Sequence, residues 1–343
     1  MTFSSIQFLV FLSLILITEP WFRKHRHTYL AVVSLTFYTI AGAELVFLLV
    51  ISSAIDHLSV RNFETKYRRW WLIIAISANL LFLVGVKIHY YLDFKLLQLQ
   101  NLIPLGISFY TLQSISYLFD VFNKKVSKID SFTAYLAYIS FFPQLIAGPI
   151  ERCNKLYPQL KKFGLTDTHR ALRAIRLFIF GLYLKLVISN RLAGPINQVA
   201  LTNEYDIIFL LNGIFVFAYV YTDFFAYTLM ARGISGVFGV ELNLNFDRPF
   251  SRKNLIAFWQ SWHISLTKWM TDYFYIPIML RINSSALNKF LFSVCAMILI
   301  GLWHGIGWNF VIFGFVNGAS MQLLPLLDKT TQRFSPTLPK LNN

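Results

Sequence analysis

Two histidines stand in the sequence where an ionisable side chain is costly. His263 lies in Phe258-Trp259-Gln260-Ser261-Trp262-His263-Ile264-Ser265-Leu266-Thr267, and His304 in Gly301-Leu302-Trp303-His304-Gly305-Ile306-Gly307-Trp308-Asn309. A titratable group in such tryptophan-rich, apolar surroundings is paired or functional. A single histidine on an apolar helix is more often a satisfied core residue than a catalyst, so placement alone does not decide between the two. Gly301, Gly305 and Gly307 add weight at His304, since they strip side-chain bulk from around the imidazole. That either lets another helix approach closely or leaves room for a substrate. Burial lowers a histidine's pKa and keeps neutral imidazole available as a general base near pH 7. The chemistry such residues can do is proton transfer to and from a reacting hydroxyl.

The other titratable residues are weaker candidates. His25, His27, His57, His89 and His169 lie in polar loops or at the ends of apolar runs and are expected to be solvated. Asp223, inside Val216-Phe217-Ala218-Tyr219-Val220-Tyr221-Thr222-Asp223-Phe224-Phe225, either lines a polar cavity, orients a histidine or bonds to neighbouring hydroxyls. Glu44 is a similar intramembrane acid with the structural reading favoured. No metal is expected, because two distant histidines without a His-x-x-x-His or carboxylate pair are too few ligands at a recognisable spacing. Cys153 and Cys295 form neither a disulfide framework nor a metal pair.

These residues must be positioned by membrane helices. Of 343 residues 56% are hydrophobic and 14% charged, against roughly a quarter charged in a soluble domain. Apolar runs recur at Ser4–Glu19, Trp70–Val86, Ile207–Thr222 and Phe290–Trp303, several approaching the roughly 17 to 25 residues of a transmembrane helix. Spans in lipid must be helices or closed barrels, and the weak alternation argues against a barrel. The fold class is therefore an all-α polytopic membrane protein. The first run lacks the basic flank and cleavage site of a signal peptide. Arg23, Lys24 and Arg26 follow it, placing its C-terminal end in the cytoplasm and the N-terminus outside. The same rule accounts for most of the net charge of +15, and no clustered basic module points to nucleic acid.

Basic clusters on both sides of two apolar stretches predict that each enters the membrane and returns. Tyr29–Ile55 is bracketed by Arg23 to Arg26 and by Arg61, Lys66, Arg68 and Arg69. Its roughly 27 residues reach only about 40 Å as helix, short of two crossings, so a pair of half-helices broken near Gly42 fits better. Phe132–Ile150 repeats the pattern, and Phe141-Phe142-Pro143-Gln144-Leu145-Ile146-Ala147-Gly148-Pro149 carries two prolines and a glycine that break helical bonding. This segment is either a cavity wall or a kinked helix. Neither internal repeat nor soluble domain is visible. One membrane domain over 1–327 and a polar tail over 328–343 are expected.

At these residues the sequence resembles the membrane-bound O-acyltransferase (MBOAT) superfamily, in its bacterial branch of alginate O-acetyltransferases and teichoic acid D-alanyl transfer proteins. The resemblance runs from about Pro104 to Gly318. Its strongest pieces are Pro104-Leu105-Gly106-Ile107-Ser108-Phe109-Tyr110-Thr111, the Phe141–Pro149 segment, Phe258–Pro277 and Gly301–Gly318. The family implies a ring of tilted and re-entrant helices around a central funnel, with His304 catalytic and His263 a second functional histidine. It also implies transfer of an acyl group from a thioester to a hydroxyl, with His304 as general base and His263 or Asn309 donating to the oxyanion. Trp262, Trp303, Trp308, Asn309, Asp223 and Gln144 are candidates for a substrate tunnel, the tryptophans having a packing role as their alternative.

By the same analogy no cofactor is tightly bound, and the co-substrate is an acyl thioester such as acetyl-CoA or an acyl-carrier protein. The acceptor is a cell-envelope polysaccharide, reached with the help of an extracytoplasmic acyltransferase. The location is the cytoplasmic membrane of a bacterium, in contact with its lipids. Three departures stand out. Relatives' Asp-Phe-Ser-Gly-Tyr-Ser-Asp-Met-Ala is here Asp223-Phe224-Phe225-Ala226-Tyr227-Thr228-Leu229-Met230-Ala231, a later histidine is replaced by Asn317, and the chain is shortened at its C-terminus. Competing readings are a transporter or flippase-like conduit, and a shortened inactive member serving as a binding partner.

Overall fold

The computed structural model describes residues 1–41, 46–91, 106–199, 207–282 and 285–334, and among these the regular structure is helical, joined by turns and loops, apart from one isolated bridge between Phe246 and Trp262. The chain divides into two compact units, Met1–Asn245 and Phe246–Asn343. In the first unit α1 (Ile6–Thr18) and α2 (Arg26–Ile40) are joined by a 3-10 segment, Glu19–His25. Ser5 caps α1 by accepting from the Phe8 N–H, and Pro20 sits in the first turn of the segment that follows, where a missing N–H is tolerated. Among the described residues four stretches, Ile6–Ile40, Arg68–His89, Asn212–Val237 and Ala286–His304, are long and apolar enough to cross a membrane.

The first of these stretches is nevertheless a hairpin. The Met1 ammonium donates to the Ile40 carbonyl at 3.2 Å, and the Tyr29 hydroxyl reaches Ile15 O and the Thr18 hydroxyl. The chain therefore returns on itself. Arms of 13 and 15 residues rise about 20 Å each, less than the roughly 30 Å hydrocarbon core. The break expected near Gly42, and Glu44 with it, lie outside the described residues. Helices stand on either side of it, α2 and α3 (Val46–Arg61).

Next come α4 (Arg68–Tyr91), α5 (Ile107–Phe122), α6 (Phe132–Ser140) and the single turn α7 (Phe142–Leu145). Helix α6 stops where Phe141 turns to ψ 108°, and Pro143 opens the turn behind it. Phe141, Phe142, Gln144 and Leu145 are buried, and the freed Phe142 N–H is taken up by the Ser34 hydroxyl at 3.1 Å. Gly106 holds φ +90° at the start of α5, and a Cβ there would fall 2.2 Å from the Leu145 carbonyl oxygen. Only glycine combines that backbone with that approach.

Asp56, on α3, is fully buried, and its partners among the described residues are neutral donors. Asn79 Nδ2 donates at 2.7 Å and the Tyr135 hydroxyl at 2.8 Å, while Ser52 donates to Asn79 Oδ1 at 2.9 Å. This network ties α3 to α4 and α6. Expected to be solvated, His57 is buried beside it, its ring against Phe132 and Tyr135. The correction arises because the residues that cover it come from far along the chain. His25 and His169 are exposed as expected.

The unit is completed by α8 (Cys153–Leu160), α9 (Thr168–Tyr183), α10 (Asn190–Val199) and α11 (Ile207–Val237), with a π-helical turn at Leu184–Ser189. Helices α9 and α11 pack through small residues: Cβ atoms on Gly181 and Gly233 would lie 2.7 Å from Ala226 O and Phe178. Glu151 clamps two loops together, accepting from the Asn243 backbone N–H at 2.5 Å and from its side-chain amide at 2.7 Å.

In the second unit α12 (Leu255–Ser261), α13 (Ile264–Met270), a π-helical turn (Thr271–Tyr275) and α14 (Ile276–Met279) precede a hairpin of α15 (Ala286–His304) and α16 (Trp308–Phe334). Helix α16 continues past Asp328, where a polar tail was expected to begin. Cβ atoms on Gly314 and Gly318 would lie 2.4 and 2.6 Å from Ile298 Cα and Val294 Cα, so the two backbones of the hairpin touch across a Gly-x-x-x-Gly face.

Candidate active site

The second unit places both candidate histidines at helix ends. Asn254 caps α12 by accepting from the Ala257 N–H at 2.8 Å. The helix stops at Ser261, Trp262 is extended, and His263 adopts φ 43°, ψ 54° before α13 begins. A left-handed backbone is uncommon for a residue with a Cβ and costs about 1 to 3 kcal/mol. It is held by its neighbours: the His263 carbonyl accepts from the N–H groups of Leu266 and Thr267, at 3.0 and 3.1 Å. The Thr267 hydroxyl reaches back to the Trp259 carbonyl at 3.1 Å and the Trp262 carbonyl at 3.3 Å. Thr267 thereby ties off the end of α12 and fixes the corner on which His263 sits.

His304 is the last residue of α15. The chain leaves through an extended Gly305, whose N–H still bonds to Gly301 O at 3.1 Å. The His263 and His304 ring centroids are 6.1 Å apart, and Trp303 contacts both, at 5.6 Å from His263 and 4.8 Å, edge-on, from His304. At such a separation one oxygen atom can lie within hydrogen-bond reach of both imidazoles.

The two histidines differ in environment, which corrects the expectation that both are buried. His263 is 3% exposed, whereas His304 is exposed at the helix terminus. Burial first, and then the neighbouring His304, hold the His263 imidazole well below the ordinary histidine range. It is therefore neutral near pH 7, with one N–H to donate and one lone pair to accept. His304 has room for a substrate to approach. The glycines around it serve close packing: Cβ atoms on Gly301 and Gly305 would lie 2.2 and 2.1 Å from Phe310 of α16. The helical-approach reading holds at these two positions.

The remaining candidates separate. Trp262 packs among Phe246, Phe250 and Phe258, the packing role given as its alternative. Trp308 is 80% exposed and Asn309 is exposed, both in the first turn of α16. Asp223 and Gln144 belong to the first unit. Asp223 Oδ1 accepts from Lys185 Nζ at 2.5 Å and Ser189 Oγ at 2.6 Å, so its partners are an ammonium and a hydroxyl of the π-helical turn. Gln144 donates to Gln113 Oε1 inside the core. Among the described residues no three His, Cys, Asp or Glu side chains group as metal ligands. Thr267 and Phe310 were missed as supports for the histidines. The Gly314–Gly318 spacing was a readable signal for the second; nothing local marks the first.

The helices define a multi-pass, all-helical membrane protein, and its second unit brings two histidines together. Residues 23–337 match the sequence profile of MBOAT, the membrane-bound O-acyltransferase family, and the chain belongs to that family. It is 30% identical to the "Peptidoglycan O-acetyltransferase" of Helicobacter pylori, over 94% of this chain and 68% of that protein. It is 29% identical to the "Probable alginate O-acetylase AlgI" of Pseudomonas aeruginosa over 93% of this chain, and 26% identical to the "Teichoic acid D-alanyltransferase" of Bacillus subtilis over 68%. The chain spans 65% and 62% of the lengths of these last two.

Proposed function

We propose that this chain is an O-acyltransferase of the bacterial cytoplasmic membrane that moves an acetyl group from a thioester to a hydroxyl, toward modification of a cell-envelope polysaccharide. The observation that carries the reading is the pairing of a buried, neutral His263 with an accessible His304 at 6.1 Å. His304 accepts the hydroxyl proton as the oxygen attacks the thioester carbonyl. The tetrahedral intermediate then collapses, the carbon–sulfur bond breaks, and His304 returns the proton to the leaving thiolate. The neutral His263 N–H donates to the oxyanion, Asn309 being the other candidate donor in this unit. Acetyl-CoA or an acyl-carrier protein is the donor, and an extracytoplasmic acyltransferase completes delivery.

The names of the relatives support acetyl as the group and an envelope polymer as acceptor. The test is the ester-linked acetate that mild base releases from purified envelope polysaccharide. Cells expressing the chain with its genomic neighbours should carry it, and cells expressing His304→Ala at equal membrane abundance should not. Equal ester content in both would remove the proposal.

A further inference from the structure

Helix α9 presents an exposed face among the described residues. Ala174 and Gly181 pack inward against α11, while Leu172, Ile175, Ile179 and Tyr183 are exposed on a row at helical spacing. Beside that row, about a quarter-turn further round, stand the exposed Arg173 and Arg176. The carboxylate at the start of the helix is already engaged: Asp167 caps it and pairs with Arg170 at 3.3 Å. Among the described residues neither Arg173 nor Arg176 has an ion-pair partner.

We propose that this face of α9 binds an anionic phospholipid, Arg173 and Arg176 holding the headgroup phosphate and the Ile175–Ile179–Tyr183 row receiving an acyl chain. Two guanidinium groups three residues apart suit phosphate oxygens, which planar donors grip in pairs. From Arg173 to Ile179 the helix rises about 9 Å, enough to carry the face from headgroup depth into hydrocarbon. The exposed apolar surface continues through Leu186 and Val187. A soluble anion would leave that surface unused, and charge together with apolar area is the signature of lipid binding at the interface. The basic pair Lys161 and Lys162 is a natural contrast, because the apolar residues flanking it, Leu160 and Phe163, are buried.

Native mass spectrometry of the full chain, titrated in detergent with phosphatidylglycerol and phosphatidylcholine, tests the proposal. Wild type should retain phosphatidylglycerol preferentially, and Arg173→Gln/Arg176→Gln should lose roughly tenfold of that retention. Arg173→Lys/Arg176→Lys should keep most of it, and Lys161→Gln/Lys162→Gln should change it little. An equal loss in the two Gln double variants reduces the effect to general charge and overturns the proposal. Release of the lipid by millimolar inorganic phosphate would assign a free-anion site instead and overturn it too. If the Arg-to-Gln variant does not fold, absence of phosphatidylglycerol preference in wild type is itself decisive against it.

Discussion

Holding His263 in place carries two costs, a left-handed backbone and a buried imidazole, and each makes a prediction. Because folding lowers the pKa of His263 below its value near 6.5 in the unfolded chain, the unfolded state binds more protons at acid pH. The folded state is then favoured above pH 6.5 and loses stability as pH falls below it. Melting temperature measured from pH 8 to pH 5 should fall on the acid side in wild type, and the fall should be shallower in His263→Gln. Identical slopes would mean that His263 is not a buried neutral base. The backbone cost rests on Thr267. Thr267→Val deletes the hydroxyl proton shared between the Trp259 and Trp262 carbonyls, a bifurcated bond worth about 1 kcal/mol in all, while Thr267→Ser keeps it. Acyl transfer should drop severalfold in the first at unchanged membrane abundance and recover in the second, read as initial rate.

At the scale of the elements, the α15–α16 hairpin sets where His304 ends up, and its contact is backbone against backbone. A Cβ at 314 would meet Ile298 Cα at 2.4 Å, which no rotamer change relieves, whereas a Cβ at Gly85 of α4 would meet nothing within 4 Å. Gly314→Ala should therefore destabilise by about 1 to 3 kcal/mol, and Gly85→Ala should be neutral or slightly stabilising because it favours helix. Thermal aggregation of the two variants in one detergent measures the contrast; equal midpoints would contradict the packing. Much of the helical layout was legible, since Trp70–Val86 and Phe290–Trp303 lie inside α4 and α15. Helix existence follows from local hydropathy, but partnership does not. The return of α2 along α1 and the burial of Asp56 and His57 depend on Met1 with Ile40, and on Asn79 and Tyr135, pairs with no local signature. His304 was found through its composition and family block, whereas its exposure depends on where α15 ends.

For the whole molecule, each unit has its own internal lock. In the first, burial pushes the pKa of the Glu151 carboxyl up to about 7, although the Asn243 N–H, Lys155 and Arg152 favour its ionised form. Its folded pKa exceeds the unfolded one, so it stabilises the fold most at low pH, and that contribution is lost as pH rises through 7. Glu151→Gln removes the ionisation at a fixed hydrogen-bond cost. Its stability relative to wild type should rise between pH 5 and pH 8 in denaturant or thermal titrations, and a constant difference would show that Glu151 is already ionised throughout. In the second unit the lock is the backbone contact of α15 with α16 at Gly314 and Gly318, and the proposed chemistry stands on the paired histidines. Its most direct test is turnover of a radiolabelled acetyl thioester by the purified chain with its cognate partners, normalised to folded protein. Wild type should transfer label to a hydroxyl acceptor, His304→Ala and His304→Gln should both fall by about 10² to 10⁴, and His263→Ala should fall less. Wild-type turnover in His304→Ala would contradict the account.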